Sequence, residues 1–132
     1  MKKLFLTLAM FLFAFTGVMR ADEVTIGEGT ATQYTIPVNM YYNYSLTEQI
    51  YTAEEIGTAG SITSVSFYYD YGTAFTMSDV TLYMKNVSKE AFATTTDMEP
   101  LAATDIVWTG TFAATEAGWV SNPHCFSNVP RW

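Results

Sequence analysis

Residues 61–71 read SITSVSFYYDY, a segment in which large and small side chains alternate. The odd-numbered positions from 65 to 71 hold one valine and three aromatic residues, whereas the even-numbered positions from 64 to 70 are mostly short and polar. Successive side chains of a β-strand point to opposite faces. This period of two therefore predicts a strand whose odd-numbered residues face a core.

The same alternation recurs on both sides of this segment, with Gly, Asn, Asp and Ser between the repeats. It predicts four further strands, at residues 33–38, 46–51, 79–87 and 105–112. A sixth strand is predicted if residues 119–120 begin one. Pro37 places the earliest of these at a sheet edge, because proline has no N–H to donate to a ladder. Gly110 marks a bulge or a close neighbour, and Ser88 can cap one helical turn at 88–92.

The spacing of these segments is typical of antiparallel sheets rather than of βαβ units, since no long helical period separates them. The predicted fold class is all-β, an antiparallel β-sandwich of jelly-roll-like form. Five or six strands fall short of the roughly seven of an immunoglobulin-type sandwich and the roughly eight of a jelly roll. Residues 22–120 are therefore expected to form a partial module, which could associate through its open sheet edges.

The first 21 residues have the layout of a secretory signal peptide. Lys2 and Lys3 precede an apolar run over residues 4–19, and Ala21 offers a small residue for cleavage. This apolar run is shorter than the ~20 residues that a helix needs to span a bilayer. We therefore predict a protein that is secreted or held at the outer cell surface, with no membrane insertion after cleavage. Removing 21 of the 132 residues leaves 111, with three basic and thirteen acidic side chains and a formal charge of −10.

Composition excludes several classes of function. The basic residues that remain after cleavage, Lys85, Lys89 and Arg131, are not clustered along the sequence and offer no binding surface for nucleic-acid phosphates. A single cysteine excludes a disulfide framework. A single histidine, His124, leaves no histidine pair for a metal and no imidazole outside the C-terminal tail. We predict no catalytic residues, no metal site and no cofactor, and the carboxylates near the turns lack the spacing of a calcium loop.

The last twelve residues, 121–132, read SNPHCFSNVPRW and form an atypical tail in which the alternation ends. Three interpretations stay open. The segment is unstructured, or His124 and Cys125 form a metal or redox pair, although adjacent residues of an extended chain point apart. In the third, the reading frame has shifted after Val120, which would truncate a longer domain.

Several motifs resemble one known family. They are IGEGT at residues 26–30, YSLTEQIYTAEEIG at residues 44–57 and the pair Gly118 and Trp119. Over residues 25–120 the chain resembles the start of a β-sandwich module that recurs in secreted and surface proteins of Bacteroides-type anaerobes. There it accompanies fibronectin type III and cleaved-adhesin (gingipain haemagglutinin-like) domains. In that family a further apolar strand follows the Gly-Trp pair, and here the atypical tail stands in its place.

The resemblance implies a non-catalytic adhesion or binding module that presents its loops to a glycan or a protein. Two alternatives stay open. The chain could be an accessory domain fragment of a secreted protease or other hydrolase, or a truncated product without independent function. The neighbouring sequence would distinguish them, through a catalytic motif, repeated sandwich modules, or neither.

The candidate ligand-binding residues form one cluster in a predicted loop: Tyr41, Tyr42, Asn43 and Tyr44. Aromatic rings stack on the apolar faces of pyranose sugars, and neighbouring amides hydrogen-bond to sugar hydroxyls. The more common arrangement is that such tyrosines cover the end of a sheet core with their hydroxyls in water. Both interpretations require a loop at this point of the chain.

Overall fold

A computed structural model describes residues 22–27 and 29–121. Its regular elements are, in chain order, helix α1 (Ala53–Ile56), strands β1 (Ser66–Tyr69) and β2 (Phe75–Tyr83), a 3-10 turn (Ala103–Asp105), and strands β3 (Ile106–Ala114) and β4 (Gly118–Ser121). The strands form two antiparallel sheets, β1 with β4 and β2 with β3. This confirms the all-β class. The predicted signal peptide, residues 1–21, and residues 122–132 of the atypical tail lie outside the described residues.

The first sheet confirms a strand within residues 61–71 and a strand at residues 119–120. Phe67 of β1 lies opposite Val120 of β4, and Tyr68 lies opposite Trp119. The rings of Tyr68 and Trp119 meet edge to face, with their centroids 5.5 Å apart. β1 is much shorter than the predicted strand, because β4 offers pairing partners to only four of its residues.

The second sheet is longer and bent by two irregularities. Between Met77 and Val80, β2 carries one residue more than β3, and Asp79 has a φ of 59°. An extra residue in left-handed conformation is a β-bulge, and aspartate is one of the few side chains that tolerate that conformation. Gly110 lies opposite Val80, beside the bulge. A Cβ built on Gly110 would lie 2.6 Å from the Trp108 indole, so the close neighbour predicted at Gly110 is present, whereas the bulge lies on the facing strand.

Aromatic rings connect the two sheets. The ring of Phe112 on β3 meets Phe67 of β1, in the other sheet, at a centroid distance of 6.4 Å, and Phe75 of β2, in its own sheet, at 5.7 Å. Tyr69 of β1 lies 4.8 Å from Phe75. The buried hydrophobic residues of the described chain all belong to β3: Val107, Phe112 and Ala114. The core is therefore small and lies against this one strand.

Two predicted strands were wrong. Residues 33–38 contain a turn, in which the Ile36 N–H donates to the Gln33 carbonyl over 3.2 Å. Residues 46–51 run without a strand partner in the described structure. Side-chain hydrogen bonds hold this segment instead, among them one from the Thr47 hydroxyl to the Pro37 carbonyl at 2.6 Å.

The predicted helical turn at residues 88–92 was also wrong, and the helix lies elsewhere, at α1. Thr52 begins α1 with a capping box, because its hydroxyl accepts from the Glu55 N–H while Glu55 accepts from the Thr52 N–H. That N–H lowers the pKa of Glu55. Gly57 ends α1 at a positive φ of 69°. No helix among the described residues has the length and apolar character needed to cross a bilayer.

Candidate functional site

The predicted site lies on a loop that Asn39 closes, here called the tyrosine loop (residues 39–45). The backbone N–H of Asn39 donates to Ser45 Oγ at 3.1 Å, which joins the two ends of the loop. Asn39 Oδ1 accepts from the Tyr41 N–H at 3.1 Å, and the Asn39 carbonyl accepts from the Tyr42 N–H at 3.4 Å. Asparagine suits this position because its amide oxygen reaches the backbone two residues ahead.

The tyrosine rings of this loop face solvent. Tyr41 is 87% exposed, Tyr42 is 60% exposed and Tyr44 is 94% exposed. The rings of Tyr41 and Tyr42 meet edge to face at 5.1 Å, so each leaves a face uncovered by the other. In the described structure these rings do not cover the sheet core. Single exposed apolar residues are ordinary, but a cluster of exposed aromatic rings is a common mark of an interaction site.

A groove of about 700 Å³ lies beside the tyrosine loop. One wall comes from residues 35–48, which include Asn39 and Ser45 at the base of the loop, and the other wall comes from residues 92–98. Its polar lining consists mainly of threonine, serine and asparagine side chains, and its apolar lining of Ile36, Leu46, Phe92 and Met98. The volume falls within the roughly 300–1,000 Å³ usual for small-molecule sites.

One hydrogen bond joins the first wall of the groove to Glu99, which follows the second wall in the sequence. Glu48 Oε2 accepts from the backbone N–H of Glu99 at 2.9 Å. The other oxygen, Glu48 Oε1, is buried and has no hydrogen-bond partner in the described part of the chain. This link was not predicted, because it joins residues 51 positions apart that belong to no strand.

Two lysines and two carboxylates meet at the groove, here called the lysine–carboxylate network: Lys85, Lys89, Asp97 and Glu99. Lys89 Nζ lies 2.7 Å from Asp97 Oδ1 and 2.8 Å from Glu99 Oε1. Lys85 Nζ lies 3.4 Å from Glu99 Oε2 and donates to the Pro100 carbonyl at 2.6 Å. The two lysines, taken from the sequence as unclustered, thus converge on one glutamate. Both are neutralised by acidic partners, so they offer little charge to an anionic ligand.

The network predicts stability that falls at both ends of the pH scale. Hydrogen bonds from Lys89 lower the pKa of Asp97 and of Glu99 below their ordinary values of 3.8 and 4.5. The same bonds raise the pKa of Lys89 above 10.5. The stability contributed by Asp97 and Glu99 is complete above their ordinary pKa values and is lost as pH falls through their lowered pKa values. The stability contributed by Lys89 is complete below its ordinary pKa of 10.5 and is lost as pH rises through its raised pKa.

We expect urea midpoints to be level between about pH 5 and pH 10 and to fall outside that range. Other groups titrate in the same ranges, so the informative quantity is the difference between the wild-type chain and K89Q. The difference in urea midpoint between the wild-type chain and K89Q should be largest between pH 5 and pH 10 and should shrink towards pH 3 and towards pH 12. A difference that stayed constant with pH would contradict the role given to the network.

No group of three or more His, Cys, Asp or Glu side chains is arranged to hold a metal ion within residues 22–27 and 29–121. His124 and Cys125, the pair considered from the sequence, lie outside the described residues.

Comparison of the chain with protein-family models, curated protein sequences and solved structures found no match. The tyrosine loop and the groove are the features of the described residues that bear on function.

Proposed function

We propose that this chain is a non-catalytic binding module, exported to the cell surface or the medium, that binds a glycan through the tyrosine loop and the adjoining groove. The proposal rests chiefly on the exposure of Tyr41, Tyr42 and Tyr44 on a loop that Asn39 closes. The sandwich form and the export signal belong to the same proposal. The ring contacts between the two antiparallel sheets support the first, and the layout of residues 1–21 supports the second.

The loop geometry suits a sugar for two reasons. Exposed tyrosine rings offer flat apolar faces to the C–H groups of a pyranose, and their hydroxyls can exchange hydrogen bonds with sugar hydroxyls. The hydrogen bonds of Asn39 hold the loop before a ligand arrives, so less conformational entropy is lost on binding. The groove adds further hydroxyl and amide groups within reach of the same ligand.

The charge pattern selects among sugars. The whole chain carries a formal charge of −7, and Lys89 is paired with Asp97 and Glu99 beside the groove. A sulfated or uronic-acid glycan would therefore meet repulsion, and the two lysines of the described residues, Lys85 and Lys89, are already held by acidic partners. We assign the ligand to the class of neutral glycans.

The test is a glycan array, followed by calorimetric titration of the neutral glycans that bind. Y41A/Y44A should weaken binding at least about tenfold, which equals about 1.4 kcal/mol. Y41F/Y44F keeps both rings and should retain most of the affinity. Tyr34 is 75% exposed outside the tyrosine loop, so Y34A is the matched control and should bind as the wild-type chain does. Unchanged binding by Y41A/Y44A would contradict the assignment of the site.

A further inference from the structure

We propose that the outer face of the β1–β4 sheet is a second glycan-binding site, at which the indole of Trp119 stacks on a neutral pyranose ring. Four side chains make up this face, here called the tryptophan face: Ser66, Tyr68, Trp119 and Ser121. The tryptophan face shares no residue with the tyrosine loop or the groove. The inference therefore does not depend on the function proposed for those two features.

The register of the sheet brings these four side chains together. Ser66 lies opposite Ser121, and Tyr68 lies opposite Trp119. Residues directly opposite each other in an antiparallel pair point to the same face. Alternation places Phe67 on the other face, where its ring meets the second sheet. The tryptophan face therefore lies on the side of the sheet that is turned away from the aromatic core.

The indole of Trp119 is the group on this face that suits a sugar. Trp119 is 54% exposed, whereas tryptophan is well buried on average in folded proteins. Its contact with Tyr68 is edge to face, with an interplanar angle of 73°. Such a contact covers at most one face of the indole, and it restrains the ring before a ligand arrives, so less entropy is lost on binding. The open part of the indole can stack on the C–H groups of a pyranose.

Polar groups on and beside the tryptophan face can bind sugar hydroxyls. Ser66 Oγ and Ser121 Oγ share a hydrogen bond of 2.8 Å across the two strands. One hydroxyl proton is used in that bond, so the pair can still donate one hydrogen bond and accept others. The exposed Asp70 follows β1, two positions after Tyr68, and adds a carboxylate acceptor at this end of the strand. A sugar stacked on the indole thus has both donors and acceptors nearby.

Charge and size select the class of ligand. The tryptophan face has no charged side chain of its own, and the chain carries a formal charge of −7, so an anionic sugar would be repelled. Both strands are four residues long. Strands of that length extend about 13 Å and lie about 5 Å apart, which gives a face far smaller than the roughly 800 Å² that each partner buries in a stable protein interface. A short stretch of a neutral glycan fits this area better than a folded protein does.

The test is calorimetric titration of Y41A/Y44A, which lacks two rings of the tyrosine loop, with the neutral sugars cellohexaose, maltohexaose and mannohexaose. We expect at least one of them to bind. Adding W119A should weaken that binding at least about tenfold, as is usual when a tryptophan central to a binding surface is truncated. Adding W119F keeps a ring and should weaken it less. Tyr51 is 48% exposed and belongs to neither site, so Y51A is the matched control and should leave the affinity unchanged.

The outcomes separate the tryptophan face from the tyrosine loop. Binding by the wild-type chain that Y41A/Y44A loses entirely would overturn the tryptophan face and leave the tyrosine loop in place. Binding that W119A alone weakens would support the tryptophan face and contradict the tyrosine loop. Equal affinities of Y41A/Y44A with and without W119A would overturn the tryptophan face. A dimer in light scattering that W119A abolishes would also overturn it, because a second copy of the chain would then cover the indole.

A second measurement covers the case in which W119A fails to fold. Hydroxyl-radical footprinting of Y41A/Y44A, read by mass spectrometry, should show that the hexasaccharide that binds protects Trp119 from labelling. Tyr51 should be labelled to the same extent with and without the sugar. Unchanged labelling of Trp119 at a saturating concentration of the sugar would overturn the proposal.

Discussion

F112A is expected to lower the free energy of unfolding by about 3–5 kcal/mol, the usual cost of removing a buried phenylalanine ring. Phe112 is 6% exposed, and its ring contacts Phe67 of the other sheet and Phe75 of its own sheet. Alanine would remove both ring contacts, and the one with Phe67 is a contact between the two sheets. Domains of this size are commonly stable by only 5–15 kcal/mol, so a large fraction of the variant would unfold at moderate temperature.

The measurement is urea and thermal unfolding followed by circular dichroism at matched protein concentration. F112L keeps most of the apolar volume and should cost clearly less than F112A. Y34A removes an exposed ring and should change stability by less than about 0.5 kcal/mol. A cavity of about 40 Å³ already borders Phe112, so neighbouring side chains have little scope to fill the added space. A loss below about 1 kcal/mol for F112A would show that the ring contacts do not hold the sheets together.

The strand prediction succeeded where alternation alone carries the information. The aromatic residues of β1 were assigned to the correct face, because Phe67 and Tyr69 are the side chains that meet the rings of the second sheet. The alternation predicted for residues 79–87 also assigned the correct residues to the inner face, since Val80 and Leu82 are half-buried. The interior of a short amphipathic strand is therefore readable from its own residues.

The bulges explain where the same reasoning failed. β2 begins at Phe75, four residues before the predicted start, but the extra residue near Asp79 shifts the alternation, so Met77 and Val80 are both half-buried. On β3 a second irregularity lets Val107 be buried as well as Phe112, although they are five residues apart. A bulge is defined by two strands together. The sequence of one strand does not contain that information.

The candidate site was likewise predictable where its sequence signal is local and unpredictable where distant residues meet. The tyrosine loop could be predicted because its signal is local: three tyrosines and two asparagines within six residues, 39–44. The groove and the lysine–carboxylate network could not. Lys89 meets Glu99 across ten residues, and Glu48 meets the Glu99 N–H across 51 residues, without a shared strand to set their register. The capping box at Thr52 and Glu55 was a local signal that the sequence contained and the strand assignment overlooked.

G110A is expected to lower the free energy of unfolding by about 1–3 kcal/mol, the usual cost of overfilling a packed site. The indole of Trp108 lies over Gly110, and an added Cβ would stand 2.6 Å from its Cζ2 atom and 3.2 Å from the next two ring atoms. The methyl group could be accommodated only if the indole moved away from β3. We therefore expect the loss of stability to be accompanied by a change in tryptophan fluorescence.

Gly72 provides the matched control, because a Cβ added there meets no atom within 4 Å and its φ lies outside the positive range that favours glycine. G72A should leave stability unchanged or raise it by up to about 1 kcal/mol, since alanine restricts the unfolded chain. Combining G110A with W108L removes the opposing ring, so the cost of the added methyl should fall in the double variant. Equal stabilities for G110A and G72A would mean that the indole adjusts without cost.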